Sequence, residues 1–155
     1  MAALTSFMEN HVIDWLLRAQ AIGITGATAA AATGPATVYV ALYTANPTAT
    51  TAGTEVSGGS YARVAVTSGL TAWAGTQGAA TTVVSSGTTG QTSNNAILTF
   101  PAPTAAWGVI TGFAMLDALT LGNTLIFGAL TTSKTVNSGD AAPSFAAAAL
   151  TFSLS

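Results

Sequence analysis

The side chains of this sequence that can transfer protons or attack a substrate are few and lie far apart. There is one histidine, His11, no cysteine and five acidic residues among 155 positions. A nucleophilic serine needs a base beside it, and His11 lies within the apolar stripe of a predicted helix, where packing or an interface is the better explanation. No G-x-S-x-G, P-loop or G-x-G-x-x-G motif is present. The sequence therefore predicts a protein that is not an enzyme.

The acidic residues are better explained as turn and ion-pair residues than as catalysts. Asp117 and Asp140 are the two carboxylates that neighbouring strands could bring together for glycoside hydrolysis. Asp117, however, ends an apolar run, and Asp140 follows the turn-forming residues 137–139. Glu55 and Arg63 are predicted to pair across a turn. No acidic cluster suits calcium, and the lack of cysteine excludes thiolate metal sites, so we expect no metal and no cofactor.

Aromatic side chains are the remaining candidates for ligand binding. They could line a sugar-binding face, or they could anchor a core and an interface, where such residues concentrate. Few charged or amide groups surround them in the sequence, and this favours packing. The residues concerned are Trp15, Trp73, Trp107, Tyr39, Tyr43 and Tyr61.

Charge is the property in which this sequence departs most from an ordinary soluble protein. Lys and Arg number three and Asp and Glu five, so that 5% of the residues are charged and the formal net charge is −2. Soluble domains carry about 25% charged residues, and a free monomer uses them to stay soluble. We therefore expect copies of the chain, or another protein, to cover much of the surface. Three dispersed basic residues cannot neutralise a phosphate backbone, which predicts no nucleic-acid partner.

The longest charge-free stretch, residues 96–116, raises the question of a membrane span. Pro101, Pro103, Gly108 and Gly112 interrupt it, and a spanning helix needs about 20 predominantly apolar residues. Buried strands explain the stretch better, so no membrane partner is expected. The first fourteen residues contain acids and no basic leader, which predicts that there is no signal peptide.

The N-terminal residues predict an amphipathic helix. Ser6 and Glu9 have the S-x-x-E spacing of a capping box. Apolar residues recur behind them at spacings of three and four, which places them on one stripe of a helix. The stripe consists of Leu4, Phe7, Met8, Val12, Trp15, Leu16 and Ala19.

Two further pairs of residues in this helix suggest that it has more than one neighbour. Asp14 and Arg18 lie four positions apart on the predicted polar side and are expected to pair weakly. Ile13 and Leu17 extend the apolar surface beyond a single face. The helix is therefore expected to contact both its own domain and a neighbouring molecule.

Beyond residue 36 the pattern changes to short strands separated by glycine, proline and asparagine turns. Alternating, β-branched and aromatic segments are typical of half-buried strands. This predicts a mainly β fold, an antiparallel β-sandwich or jelly-roll-like domain preceded by one short N-terminal α-helix. Residues 1–36 would form the helix and a flexible arm, and residues 37–155 the β-sandwich domain. Strands are predicted at 37–44, 61–69, 95–101, 107–116, 123–130, 134–136 and 149–155, with weak strand signals between 70 and 95.

Several segments taken together resemble a known family. They are "VYVALYTANPT", "TEVSGGSYARVAVT", "NAILTFPAPTAAWGVITGFAMLDA" and "LIFGALTTSKTVNSGDAAPSFAAAALTFSLS". As a set they are similar to a family of small tailed-bacteriophage virion proteins, variously labelled tail fibre or structural proteins. The resemblance implies a structural role in a phage particle, and it implies no catalytic residues.

The resemblance and the low charge together lead to a functional expectation. We expect a capsid decoration (cement) protein that binds the outer surface of the head as a homotrimer and contacts the major capsid protein. Such a protein stabilises the shell by mass action. The alternative is a tail fibre or tail-tip component involved in host attachment, and a cell-wall hydrolase is the least favoured reading. The expected interface residues are Phe7, Met8, His11, Val12, Trp15, Leu16, Ile22 and Ile24.

Overall fold

A computed structural model describes residues 4–24 and 34–154 of the chain. The fold is mainly β, with antiparallel pairing and one short N-terminal helix, which confirms the predicted fold class. The helix α1 is Ser6–Arg18. The strands are Thr37–Ala45 (β1), Thr54–Glu55 (β2), Val64–Thr67 (β3), Gln91–Ser93 (β4), Leu98–Thr99 (β5), Gly108–Leu116 (β6), Thr124–Val136 (β7), Ser144–Phe145 (β8) and Thr151–Ser153 (β9).

The chain forms two compact units, and neither of them is a continuous stretch of sequence. The first unit comprises Met1–Ala36, Thr67–Leu98 and Phe145–Ser155. The second comprises Thr37–Val66 and Thr99–Ser144. The division of the chain into an arm at 1–36 and a β-sandwich domain at 37–155 stays a prediction, and residues 25–33 of that arm lie outside the described residues.

In the first unit, helix α1 begins one residue earlier than the capping box predicted. Thr5 is the N-cap, and its hydroxyl accepts a hydrogen bond from the Met8 amide at 3.4 Å. Ala19 adopts the left-handed conformation and ends the helix. The predicted cap at Ser6 was therefore wrong, because the adjacent Thr5 supplies the same hydroxyl oxygen one position upstream.

The buried face of α1 also differs from the one that the apolar stripe indicated. The helix buries Glu9, Ile13, Asp14, Leu17 and Arg18, so the supposedly polar side faces inward. This side meets a chain segment rich in Ser, Thr and Gly, which offers hydrogen-bonding groups rather than apolar surface. The expectation of a weak, solvent-facing pair was wrong for that reason.

The first unit also contains a small antiparallel sheet. Strand β4 pairs with β9, with Thr92 opposite Phe152. The Phe152 ring lies edge-on to the buried Trp73 ring at 5.6 Å between centroids. Leu150 and Phe152 are buried and the intervening Thr151 is exposed, which confirms the alternation predicted for the last strand.

The second unit contains a five-stranded sheet whose central strands are buried on both faces. The strand order is β2-β1-β6-β7, and β3 also pairs with β1. Val40 lies opposite Met115 and Ala41 opposite Ala114, and all four side chains are inaccessible to solvent. Because both faces of β1 and β6 are buried, the sequence of each strand is a nearly continuous apolar run and does not alternate between apolar and polar residues.

Strand β7 unites two strands that were predicted separately. Ala129 lies opposite Gly112 and Lys134 opposite Ile110, so that residues 130–133 face a single residue of β6. These four residues form an irregularity in the ladder, a bulge between two paired stretches. The predicted strands at 123–130 and 134–136 correspond to those two stretches.

The charge-free stretch 96–116 contains β5 and β6, as predicted. Within residues 4–24 and 34–154, no helix has both the length and the apolar character that a bilayer crossing requires.

Candidate functional site

The residues predicted as an interface lie on one outward face of α1 and just beyond its end. Phe7 is 58% exposed, and the other seven residues are half-buried. The Phe7 ring lies edge-on to His11 at 4.3 Å between centroids. Gly23 approaches the same histidine, since a Cβ atom on it would lie 3.0 Å from His11 Cε1, which brings Ile22 and Ile24 to this part of the helix. The role of this face as an interface stays a prediction.

The opposite face of α1 carries a buried ion pair. Arg18 Nη1 lies 2.5 Å from Asp14 Oδ1, and the guanidinium is fully buried. Its other hydrogen bonds go to the Ser85 hydroxyl at 3.0 Å and to the carbonyl oxygens of Trp73 at 3.0 Å and Val83 at 2.5 Å. Asp14 accepts hydrogen bonds from the Ser85 amide at 2.8 Å and from the Ser85 hydroxyl at 2.6 Å. The pair therefore fastens residues 73–85 to the helix.

A second set of polar contacts extends this attachment along the helix. The Thr76 hydroxyl donates to Asn10 Oδ1 at 2.6 Å, and Asn10 Nδ2 donates to the Gly87 carbonyl at 3.0 Å. The Gly87 amide donates to the Thr76 hydroxyl at 2.9 Å. A segment with few apolar side chains is thus held by hydrogen bonds instead of by an apolar core.

The second unit has an ionic network of its own, built on the predicted pair of Glu55 and Arg63. Arg63 Nη2 lies 2.7 Å from Glu55 Oε2, and Arg63 Nε donates to Oε1 at 2.8 Å, a bidentate arrangement that confirms the prediction. The Tyr61 hydroxyl donates to Glu55 Oε1 at 3.0 Å and accepts from the Leu42 amide at 2.9 Å. Burial raises the pKa of the Tyr61 hydroxyl, and the Glu55 contact raises the pKa of Arg63.

The same arginine holds the loop between β6 and β7. Arg63 Nη1 donates to the carbonyl oxygens of Ala118 at 2.6 Å and Leu121 at 2.8 Å. Asp117 closes the base of the loop by accepting from the amide and side chain of Asn123 at 2.7 and 2.8 Å. These bonds from Asn123 lower the pKa of Asp117.

A cleft of about 490 Å³ lies beside this network, but its two charged side chains already bond to each other. The Glu55 carboxylate accepts hydrogen bonds from the Tyr61 hydroxyl and from two nitrogens of Arg63. The third nitrogen, Arg63 Nη1, donates its hydrogen bonds to the two loop carbonyls. The arrangement is suited to holding a loop in place. Around the cleft are Glu55, Ser57, Tyr61, Arg63, Leu119 and Leu121.

The two acids considered for catalysis both bond within turns. Asp117 accepts from Asn123, and Asp140 accepts from the Asn137 amide at 2.7 Å, as predicted for turn residues. In the part of the chain that the structure describes, no group of three or more His, Cys, Asp or Glu side chains is placed to hold a metal ion.

Comparison with known families identifies the origin of this architecture. The model of one family, described as the podophage GP4 fiber I protein gp80, matches residues 3–153. The chain belongs to the gp80 family. The matched range includes α1 and all nine strands, and the resemblance to tailed-phage virion structural proteins is therefore confirmed. As a member of the gp80 family, the protein is a structural component of a phage virion. A search among curated proteins found no match.

Sequence reasoning missed the attachment of residues 73–85 to Asp14 and Arg18. The signal in the sequence was the small number of charged residues. Of the eight in the chain, two lie four positions apart on the predicted helix. A segment elsewhere in the chain that is rich in Ser, Thr and Gly, with little apolar surface to bury, is the kind of partner that such a pair can hold by hydrogen bonds.

Proposed function

We propose that this chain is a non-enzymatic structural subunit of a phage tail fibre. The observation that carries the proposal is the match of the gp80 family, described as a fiber protein, over residues 3–153. The expected capsid decoration protein, bound to the major capsid protein as a homotrimer, is the competing hypothesis. The family description favours the fibre over it.

The surface chemistry supports a role in an assembly. Only 5% of the residues are charged, and several large apolar side chains are exposed on both units, including Phe7 and Val83 on the first and Leu121 and Phe127 on the second. Apolar exposure with so little charge favours association, because charge is what normally keeps proteins apart in solution.

The location and copy number of the protein in purified virions test the proposal. Quantitative mass spectrometry measures its copies relative to the major capsid protein, and immunogold labelling or cryo-electron microscopy locates it. A fibre subunit gives few copies per particle and label on the tail. Label spread over the head, with copies comparable in number to the major capsid protein, would contradict the fibre and establish decoration.

The outward face of α1 is proposed as the contact with a neighbouring virion subunit. Deleting the helix would not test this, since Ile13 and Leu17 are part of the core. Phe7→Glu adds a charge at a residue that is 58% exposed, and Val83→Glu makes the same type of change at 61% exposure elsewhere in the first unit. We expect Phe7→Glu, and not Val83→Glu, to lower incorporation into virions at equal folding. Equal incorporation of both variants would exclude this face.

A further inference from the structure

A polar pocket of about 220 Å³ lies in the first unit, beside the β4–β9 sheet. Buried residues such as Thr76 and Ser93 line it together with exposed ones such as Gln91 and Thr151, so the pocket reaches from the interior of the unit to solvent. About seven water molecules, at about 30 Å³ each, would fill this volume. The pocket therefore has room for one small molecule.

Three polar side chains beside the pocket lie on one face of the sheet. Successive side chains of a strand alternate between its two faces, so Gln91 and Ser93 share a face of β4. Thr151 lies opposite Ser93 in the ladder and shares that face. In the described part of the chain, the side chains of these three residues form no hydrogen bond. Two hydroxyls and one carboxamide are thus available to a ligand.

Ser93 is the residue that most clearly lacks a partner. It is only 5% exposed, so its hydroxyl has little access to bulk water. A hydroxyl that is withdrawn from water without a hydrogen bond costs free energy, which a partner in the pocket would recover. Gln91 and Thr151, at the exposed side of the pocket, are free to bond to the same molecule.

Hydrogen bonds within the unit hold the walls of the pocket in place. The Thr89 hydroxyl donates to the Thr76 carbonyl at 2.8 Å. The Ala148 amide donates to the Asn94 carbonyl at 2.7 Å, and Ala148 has a φ of 62°, a left-handed conformation that residues other than glycine seldom adopt. Walls that are fixed in this way lose little conformational entropy when a ligand binds.

The lining suits a ligand that is uncharged and carries several hydroxyl groups. None of the residues that the structure describes around the pocket is charged, so an ion would enter without a counter-charge. A wholly apolar ligand would withdraw Ser93 further from water and give it no partner. Hydroxyl and carboxamide groups both donate and accept hydrogen bonds, as sugar hydroxyls do. The methyl groups of Ala74, Ala79 and Ala148 offer small apolar surfaces to the C–H groups of a sugar ring.

We propose that this pocket binds one neutral sugar ring through the hydroxyls of Ser93 and Thr151 and the side-chain amide of Gln91. Residues opposite each other in a sheet are about 5 Å apart, and residues two positions apart in a strand about 6.5 Å. Hydroxyl groups on different sides of a single sugar ring can reach groups at these spacings. The inference goes beyond the proposed function and does not depend on it, because it concerns what the isolated chain binds.

A ¹H–¹⁵N NMR titration of the purified full chain tests binding. The probes are D-glucose, D-galactose and N-acetyl-D-glucosamine, each as the free sugar and as its methyl glycoside, with D-glucosamine and D-glucuronic acid as charged counterparts. We expect at least one neutral sugar to shift the Gln91 side-chain amide and the Ser93 backbone amide saturably, with a dissociation constant on the order of 1 mM. Binding of the methyl glycoside points to the end residue of a glycan, and binding of the free sugar alone points to a soluble sugar.

Two variants each remove one of the proposed contacts. Ser93→Ala deletes a hydroxyl that has no partner among the described residues, so the thermal midpoint should not fall. Thr151→Val keeps the shape and the β-branch of an exposed strand residue. Each variant should raise the dissociation constant about three- to tenfold through one lost hydrogen bond. Thr135→Val, the same change at an exposed position of β7, should leave it unchanged.

Several results would overturn the proposal. One is the absence of saturable shifts at Gln91 and Ser93 with all of the neutral sugars. Another is binding of the charged sugars as tightly as the neutral ones, because the pocket would then not select for the lack of charge. Binding that Ser93→Ala and Thr151→Val both leave unchanged, or that Thr135→Val weakens equally, would place the sugar elsewhere on the protein.

Discussion

Arg18 and Asp14 form an ion pair of 2.5 Å in which the guanidinium has no solvent exposure. The pair lies within one helix, yet its remaining hydrogen bonds are to residues 73–85, far away in the sequence. Two of the eight charged residues in the chain are therefore used to attach a segment that has little apolar surface of its own.

Replacing Arg18 by methionine is expected to lower the free energy of unfolding by about 3–5 kcal/mol, because the Asp14 carboxylate is left buried without its partner. Urea denaturation measures the change. The double variant Asp14→Leu/Arg18→Met should lose less than the single one, since no lone charge remains. Lys134→Met, at an exposed position, serves as the control. A loss below about 1 kcal/mol for Arg18→Met would show that the pair does not anchor this segment.

Tyr61 is expected to make stability fall in alkaline solution. Burial raises the pKa of its hydroxyl above the ordinary value of 10.0, so the unfolded chain ionises first as the pH rises. The resulting stability is fully present below pH 10 and is lost as the pH increases towards the folded-state pKa. Tyr61→Phe should lose about 1 kcal/mol near neutral pH through its missing hydrogen bonds. It should also show a shallower decline above pH 10 in chemical denaturation. Parallel declines for the two proteins would argue against this role for Tyr61.

Asp117 is expected to make the β6–β7 loop sensitive to acid. Hydrogen bonds from Asn123 lower the pKa of this carboxyl below its ordinary 3.8, so the loop contacts persist at neutral pH and are lost as the pH falls through the folded-state pKa. A ¹H–¹⁵N titration of the Asn123 amide should give a midpoint below 3.8. Asp117→Asn should abolish this titration and leave the amide resonance of Asn137, which bonds to Asp140, at its wild-type position at neutral pH. A midpoint at or above 3.8 would contradict the proposed contacts.

Gly87 is expected to tolerate no side chain. A Cβ atom there would collide with the Thr76 carbonyl and approach the Gln77 amide nitrogen to 2.7 Å, and both are backbone atoms that cannot rotate away. Gly87→Ala should cost about 1–3 kcal/mol as an overpacked substitution. Gly69→Ala is the matched control, because apart from its two neighbours in the chain no residue comes within 4 Å of the added methyl group. Thermal melting followed by circular dichroism compares the two, and equal midpoints would show that the segment can shift to make room.

The elements that were predicted best are those in which the order of apolar and polar residues already indicates which side chains are buried. The runs around Val40 and Met115 are apolar and β-branched throughout, and they form the central strands of the sheet. The alternation of Leu150, Thr151 and Phe152 gave the last strand, and the pairing of Glu55 with Arg63 followed from the turn between them.

The features that the sequence did not predict depend on distant partners. Which face of α1 is buried is decided by the polar segment that contains Ser85, and that segment has no periodicity from which its position could be read. The bulge after Ala129 depends on how β7 pairs with β6, so β7 was predicted as two strands. The N-cap moved from Ser6 to Thr5 because two adjacent hydroxyl residues compete for one role. The interface residues on α1 stay a prediction.

The discontinuous make-up of the two units has a consequence for biosynthesis. Helix α1 is synthesised more than a hundred residues before residues 151–153, which the β4–β9 sheet of its own unit needs. Closing so long a loop before its contacts can form is entropically slow. Until residues 151–153 have been synthesised, the part of the first unit that contains α1 is incompletely folded. During that time it is exposed to misfolding and to chaperones.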